Sequence, residues 1–262
     1  MANIDKHAPG DFCWIELATT DQTAATGFYS KIFGWTFKDY PIGPNEVYTV
    51  FQVQERDAAA GCRLRLDQLS RGIPPHWNLY VAIESADATA ARAEQLGGKV
   101  LAPPFDVFDA GRMAVLQDPT GAALSLWQAI NHRGTGITAP HGTLCWADLN
   151  SRDPEKASKF YGDWLGWKFE TGKDGYKHIM NGEGQHDMIG GIPPQMHAPP
   201  GTPSHWLPYF HVVDCKASAA KAAQLGASTM MPAQLMQDVG TIAVLADPQG
   251  AVFALYQPIA RS

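Results

Sequence analysis

The sequence predicts an α+β protein of two tandem domains, each made of two strand–helix–strand modules whose sheet curves around a cleft. Two internal repeats and the hydrophobic periodicity carry this prediction. The segment GDFCWIELATTDQTAATGFYSKIFGWTF, starting at Gly10, returns as HGTLCWADLNSRDPEKASKFYGDWLGWKF from His141, at a constant offset of 132. A second pattern follows at an offset of 129: His76-Trp77, Tyr80, Leu96-Gly97 and Asp118-Pro119-Thr120-Gly121 match His205-Trp206, Tyr209, Leu225-Gly226 and Asp247-Pro248-Gln249-Gly250. Such self-similarity marks a duplicated unit and has to be read before any local pattern.

Each copy opens with an alternating stretch, Phe12 to Leu17 and Leu144 to Leu149, that suits a strand. An Asp then caps a helix. In the second copy Asp153-Pro154-Glu155 supplies a capping side chain, a proline at the first helical position and an acid in the first turn. Ala25, Phe28, Tyr29 and Phe33, like Ala157, Phe160, Tyr161 and Leu165, keep helical spacing and face the sheet. Gly34 and Gly166 stop these helices, and Trp-x-Phe returns the chain to strand. Short runs follow that suit a meander: Val47, Thr49 and Phe51 alternate in one copy, Tyr176, His178 and Met180 in the other. The alanine-rich runs Ala88 to Leu96 and Ala217 to Leu225 are helices ending at glycine. Asp-Pro-x-Gly makes a tight turn before the last strand of each copy.

The first domain is placed at 1–130, a polar linker at 131–140 (NHRGTGITAP) and the second domain at 141–262. The stretch Gly190 to His205 interrupts a domain in mid-pattern and is read as a long ordered loop at a cleft mouth. With 20 Lys and Arg against 26 Asp and Glu, the formal charge is -6 and no basic stripe offers itself to nucleic acid. No apolar run reaches membrane-spanning length and no signal-peptide core is visible, so a cytoplasmic protein is expected. The four cysteines, Cys13, Cys62, Cys145 and Cys215, form no CxxC pair, which leaves small buried thiols as their ordinary role. Dinucleotide, phosphate-loop and nucleophile-elbow signatures are missing.

Strand, Asp, helix with Phe-Tyr, Gly-Trp and the closing Asp-Pro-x-Gly together resemble the vicinal oxygen chelate superfamily. That family covers glyoxalase I, extradiol dioxygenases and bleomycin-resistance proteins. The Cys-Trp-x-Glu/Asp-Leu opening of both halves is similar to its tandem glyoxalase-like members, among them a mycobacterial antigen. The resemblance runs from about Asp11 to Gln257 and implies two glyoxalase-like domains, each of two βαβββ modules lining a cleft. It also implies where metal ligands of metal-dependent members would fall: on Trp14 and Trp146, on Asn78 and Leu207, and on Ser125 and Ala254. None of these is a good divalent-metal ligand, so no metal and no cofactor is expected.

Glu16 and Asp148 lie two residues beyond the repeated Trp14 and Trp146, on the same strand face. An acid beside an indole can orient a cation or act as a general base. Asn78 and Tyr80 share a face with His76, and Leu207 and Tyr209 share one with His205. His211 has no match in the first copy and extends the Tyr209 face toward Asp148. His178 is expected to line the second cleft with Tyr176 and Met180; His186 and His197 belong to nearby segments that also lack a His in the first copy. Trp127 and Tyr256 are equivalent aromatics able to stack on a flat ligand. The candidate catalytic groups are therefore Asp148, His211 and Glu16. Trp14, Trp146, Asn78, Tyr80, Trp127, His178, His205, Tyr209 and Tyr256 are the candidate ligand-binding groups.

The expected function is metal-independent binding of a small aromatic or polar metabolite. Two alternatives stay open. One is a lyase or isomerase using a carboxylate with His or Tyr, or a divalent metal at a non-standard site; the other is an interaction protein with vestigial clefts. The expected partner is a small molecule, with neither nucleic acid nor membrane. Four modules in one chain can replace the homodimer of shorter relatives, so a monomer is expected and a dimer left open. The longer loops of the second domain mark it as the more functional half.

Overall fold

The computed structural model describes residues 2–183, 187–194 and 201–259. His186, His197 and the middle of the loop between Gly190 and His205 lie outside the described residues. A short strand β1 (Ala2–Asn3) precedes the first domain. That domain runs β2 (Phe12–Thr19), α1 (Gln22–Phe33), β3 (Thr36–Gly43), β4 (Glu46–Val53), β5 (Arg56–Arg63), α2 (Leu66–Ser70), β6 (His76–Ala82), α3 (Ala86–Gln95), β7 (Lys99–Val107), β8 (Gly111–Gln117) and β9 (Ala123–Ala129). After β10 (Ile137–Thr138), the second domain repeats the order: β11 (Leu144–Asn150), α4 (Pro154–Leu165), β12 (Lys168–Thr171), β13 (Lys177–Met180), β14 (Met188–Ile192), β15 (His205–His211), α5 (Cys215–Gln224), β16 (Ser228–Met236), β17 (Gly240–Ala246) and β18 (Val252–Pro258).

Each domain forms one eight-stranded sheet, in the orders β3-β4-β5-β2-β6-β9-β8-β7 and β12-β13-β14-β11-β15-β18-β17-β16. The two modules of a domain meet where their first strands pair antiparallel, β2 with β6 and β11 with β15, and each first strand pairs in parallel with the last strand of its own module. The predicted helix caps are in place. Asp21 and Asp153 accept from Ala24 and Lys156 backbone amides, and Gly34 and Gly166 take the left-handed conformation with φ of 71° and 75°. The alanine-rich helices start two residues earlier than their periodicity suggests, because Ser85 and Asp214 cap them.

The repeated aromatics do more than pack on their own sheet, which is where the sequence put them. Residues from both domains share one continuous hydrophobic core. Tyr29 of α1 donates 3.0 Å to Asp247 Oδ2 in the Asp-Pro-x-Gly turn of the other domain, and accepts 3.1 Å from Trp77 Nε1. Trp35 Nε1 donates to the Gly142 carbonyl and Trp167 Nε1 to that of Gly10, at 3.0 and 2.9 Å. Phe33 meets Phe210 at 5.0 Å between ring centres, and Phe12 meets Trp206 at 5.3 Å. With the helices and these rings turned toward the joint core, the opposite, concave face of each sheet is left to a separate small cluster.

Candidate site around Asp148 and Glu16

The strand period places Trp146 and Asp148 side by side on the concave face of β11. Across the β11–β15 pairing, Tyr209 stands opposite Trp146 and Leu207 opposite Asp148. Asp148 is 5% exposed, and both its oxygens carry donors. Tyr209 Oη donates 2.7 Å to Oδ2 and Tyr176 Oη donates 2.5 Å to Oδ1. Trp146 Nε1 is shared between Oδ1 at 3.0 Å and the Tyr176 hydroxyl oxygen at 2.9 Å. Gly191, the register partner of Asp148 on β14, makes room for this arrangement, since a Cβ there would overlap the Tyr176 ring.

Burial pushes the Asp148 carboxyl above its ordinary range, and the hydrogen bonds from Tyr176, Tyr209 and Trp146 pull it partly back, with a smaller contribution from His178. The same burial and the adjacent carboxylate raise the Tyr176 and Tyr209 hydroxyls, so both remain protonated donors. The His178 ring lies 5.0 Å from Tyr176 and 6.3 Å from Trp146, and all three are partly exposed. They form an aromatic wall beside the buried acid.

The first domain contains the same constellation. Trp14 Nε1 donates 2.9 Å to Tyr48 Oη, and Tyr80 Oη donates 3.1 Å to Glu16 Oε1, with Asn78 beside Glu16 in the register. Burial raises the Glu16 carboxyl; hydrogen bonds from Tyr48, Tyr80 and the Cys62 thiol oppose it. Tyr48 was not legible as a site residue. The alternation of Val47, Thr49 and Phe51 drew attention to the opposite strand face, and its counterpart Tyr176 stands at a third offset, 128, fitting neither repeat.

Other expected site residues are placed differently. His205 Nδ1 donates 3.0 Å to the Pro203 carbonyl and His76 Nδ1 donates 2.7 Å to that of Pro74, so both rings are held at the starts of their strands. His211 pairs with Tyr256 at the far end of β15, four residues beyond the partner of Asp148. That spacing is about 13 Å along a strand, and the hydrogen bonds to Asp148 come from other residues. His211 Nδ1 is instead buried without a hydrogen-bond partner among the described residues. Trp127 and Tyr256 do pack on the concave clusters. Their polar atoms donate to backbone carbonyls, Trp127 Nε1 to His132 at 2.8 Å and Tyr256 Oη to Val239 at 2.9 Å.

The two concave faces differ in cover. Residues 131–136 fold back over the first: Thr135 N donates 2.7 Å to the Cys13 carbonyl, Gly136 N donates 2.8 Å to that of Asp57, and the His132 ring sits 4.5 Å from Trp14. Trp14 is 3% exposed, whereas Trp146 is partly exposed. A groove of about 420 Å³ lined by Lys6, His7, Trp127 and Arg133 opens beside these residues, and one of about 320 Å³ lies between α1 and the Asp247 turn. Neither contains Asp148.

The sequence comparisons then fix the family. Residues 12–126 match the Glyoxalase/Bleomycin resistance protein/Dioxygenase superfamily, and residues 146–256 match a glyoxalase-like domain. A candidate glyoxylase of Mycobacterium tuberculosis (strain CDC 1551 / Oshkosh), CFP32, is 38% identical over 98% of both chains. The chain belongs to this superfamily, as a tandem member. The anthracycline biosynthesis protein DauV of Streptomyces sp. (strain C5) is 32% identical, covering 97% of this chain and 95% of its own. Among solved structures, the Mn(II)-bound glyoxalase from Novosphingobium aromaticivorans shares the fold with a TM-score of 0.66 at 15% identity, over 96% of this chain and 83% of that one.

A metal of the kind that structure holds does not fit here. The implied ligand positions of the second domain, Trp146, Leu207 and Ala254, offer an indole and two aliphatic side chains with no lone pair to donate. Among the described residues no three His, Cys, Asp or Glu side chains converge as a metal site would need. No helix among them is long and apolar enough to cross a membrane. Aromatic-lined concave faces on a glyoxalase-type scaffold are suited to small molecules.

Proposed function

We propose that the second domain binds a flat, polar or cationic small molecule against Trp146, Tyr176 and His178, without a metal. The observation that carries this reading is the Asp148 carboxylate, buried and hydrogen-bonded at both oxygens, yet with no Lys or Arg among its hydrogen-bond partners in the described residues. A buried acid held by neutral donors keeps its negative potential at the aromatic wall, where a ring with a cationic or donor substituent gains both stacking and electrostatic attraction. Likeness to proteins named for anthracycline biosynthesis supports an aromatic ligand class. Glu16 and Asp148 then act as orienting groups, and the first domain is the lesser site.

The raised carboxyl of Asp148 favours a second reading, proton abstraction from a bound carbonyl compound by a lyase or isomerase. The three donors on its oxygens lower the basicity of the carboxylate and so support binding over this chemistry. Fluorescence titration with 9-aminoacridine, a planar cation, tests the first reading. Saturable binding that weakens at least tenfold in Trp146→Ala supports it; no saturable binding, or binding indifferent to that substitution, rejects it.

A further inference from the structure

Residues 131–136 of the polar linker pack on the first domain. The His132 ring is wedged edge-on between Trp14 and Trp127, with ring centres 4.5 and 5.9 Å away. Its backbone carbonyl accepts from Trp127 Nε1. Gly134, at φ of 99°, passes so close to the Cys13 carbonyl that a Cβ would collide with it. The Thr135 and Gly136 amides are bonded to Cys13 and Asp57, and His7 Nε2 bonds the Thr135 carbonyl at 3.0 Å from the N-terminal arm. Beyond it, β10 pairs with β1.

Two features support a covering role for this segment. The floor beneath it repeats the Trp–acid–Tyr–Tyr arrangement of the second domain: Trp14, Glu16, Tyr48 and Tyr80 against Trp146, Asp148, Tyr176 and Tyr209. The wedge itself is poorly satisfied, because His132 Nε2 is buried without a hydrogen bond to the described residues and stands 3.9 Å from Asp57 Oδ2. A group left short of partners in a packed interior costs stability, so its hold is the weak point of the strap.

We propose that residues 131–136 form an intramolecular occupant of the first cleft, His132 holding the place of a ligand's ring over a masked second binding site. This rests on the reading of the second cleft for the ligand class, a planar aromatic with a donor or cationic group. Release of the strap exposes the buried Trp14 beside the partly exposed Glu16 and Tyr48 to the same class of molecule, giving the chain one open site and one in reserve.

The repeated cysteines provide an internal control. Cys13 is fully buried beneath Gly134, while its counterpart Cys145, with the same thiol-to-carbonyl contact, is partly exposed. Labelling with 4,4'-dithiodipyridine, read by peptide mass spectrometry, is expected to modify Cys145 and spare Cys13. Gly134→Val, which the backbone conformation cannot accept in place, is expected to raise Cys13 labelling at least tenfold and leave Cys145 unchanged. His132→Ala removes the wedge without backbone strain and is expected to act in the same direction, so a poorly folding Gly134 variant does not decide the matter. In 9-aminoacridine titrations either variant should gain one site per chain. Protection of Cys13 in both variants, or no gained site, overturns the strap proposal whatever the parent protein binds. A parent protein that binds no probe overturns the reading of the second cleft whatever the variants gain.

Discussion

Asp148 shows how one buried residue organises a site. Its three donors, Tyr176, Tyr209 and Trp146, are oriented by it as much as it is held by them. Asp148→Ala leaves the Tyr176 and Tyr209 hydroxyls without this acceptor and should cost about 1–3 kcal/mol, the usual penalty of stranded buried polar groups. Asp148→Asn keeps an acceptor, removes a charge that burial disfavours, and should change stability by less than about 1 kcal/mol. Urea midpoints of the two variants check this. A carboxyl raised on folding binds more protons in the folded state. Its charge therefore costs stability above the folded pKa, and the cost disappears as pH falls toward the free value of 3.8. The stability gap between parent and Asp148→Asn should thus shrink on acidification. The acid and its indole were legible because strand period and duplication put them together twice. Tyr48 was not, because unequal hairpins shift it out of both repeat registers, and His211 was over-read because a shared strand face says nothing about distance along it.

At the level of elements, strands and helices follow from capping, glycine stops and alternation, and their boundaries shift by a residue or two where Ser85 and Asp214 extend a helix. The linker escaped this logic. Its polar, glycine-containing sequence specifies no period, and only tertiary contacts with Cys13, Asp57 and Trp14 give it a place. Those contacts carry a pH dependence. Burial lowers the pKa of His132 from 6.5, opposed by Asp57 and reinforced by the neighbouring His7, whose own pKa burial also lowers against the pull of Asp11. Arg56, donating to Gly136, adds positive charge at the strap's far end. A depressed pKa means the closed strap binds fewer protons than the open one. Closure is therefore at full strength above pH 6.5 and is lost as pH falls through the depressed values. Amide hydrogen exchange at Thr135 and Gly136, corrected for intrinsic rates, should accelerate from pH 7 to pH 5; constant protection would contradict it.

For the whole molecule, duplication has produced two domains that share one hydrophobic core. Tyr29 of the first domain fixes the Asp247 turn of the second, and Trp35 and Trp167 each cap a backbone carbonyl across the joint. Each buried aromatic pair adds about 0.5–1.5 kcal/mol beyond area burial, so the repeated Phe, Tyr and Trp residues bind the halves strongly. The sequence identified these aromatics as scaffold but could not say that their partners lie in the other repeat, since two copies of a pattern do not reveal which copy faces which. Scanning calorimetry should show a single transition with equal calorimetric and van't Hoff enthalpies. Tyr29→Phe, which strands Trp77 Nε1 and loosens the Asp247 turn, should lower that transition without splitting it. Two resolved transitions in the parent protein would mean independent domains.

Binding measured on paired variants most directly tests the proposed asymmetry between the two clefts, one strapped and one open. Calorimetric titration of 9-aminoacridine into Asp148→Asn and Glu16→Gln compares the carboxylates of the open and the strapped cleft in the same molecule. Asp148→Asn should weaken binding at least tenfold, about 1.4 kcal/mol, while Glu16→Gln leaves affinity and stoichiometry unchanged. The reverse order, or two variants indistinguishable from the parent protein, would contradict the assignment of the working site to the second domain.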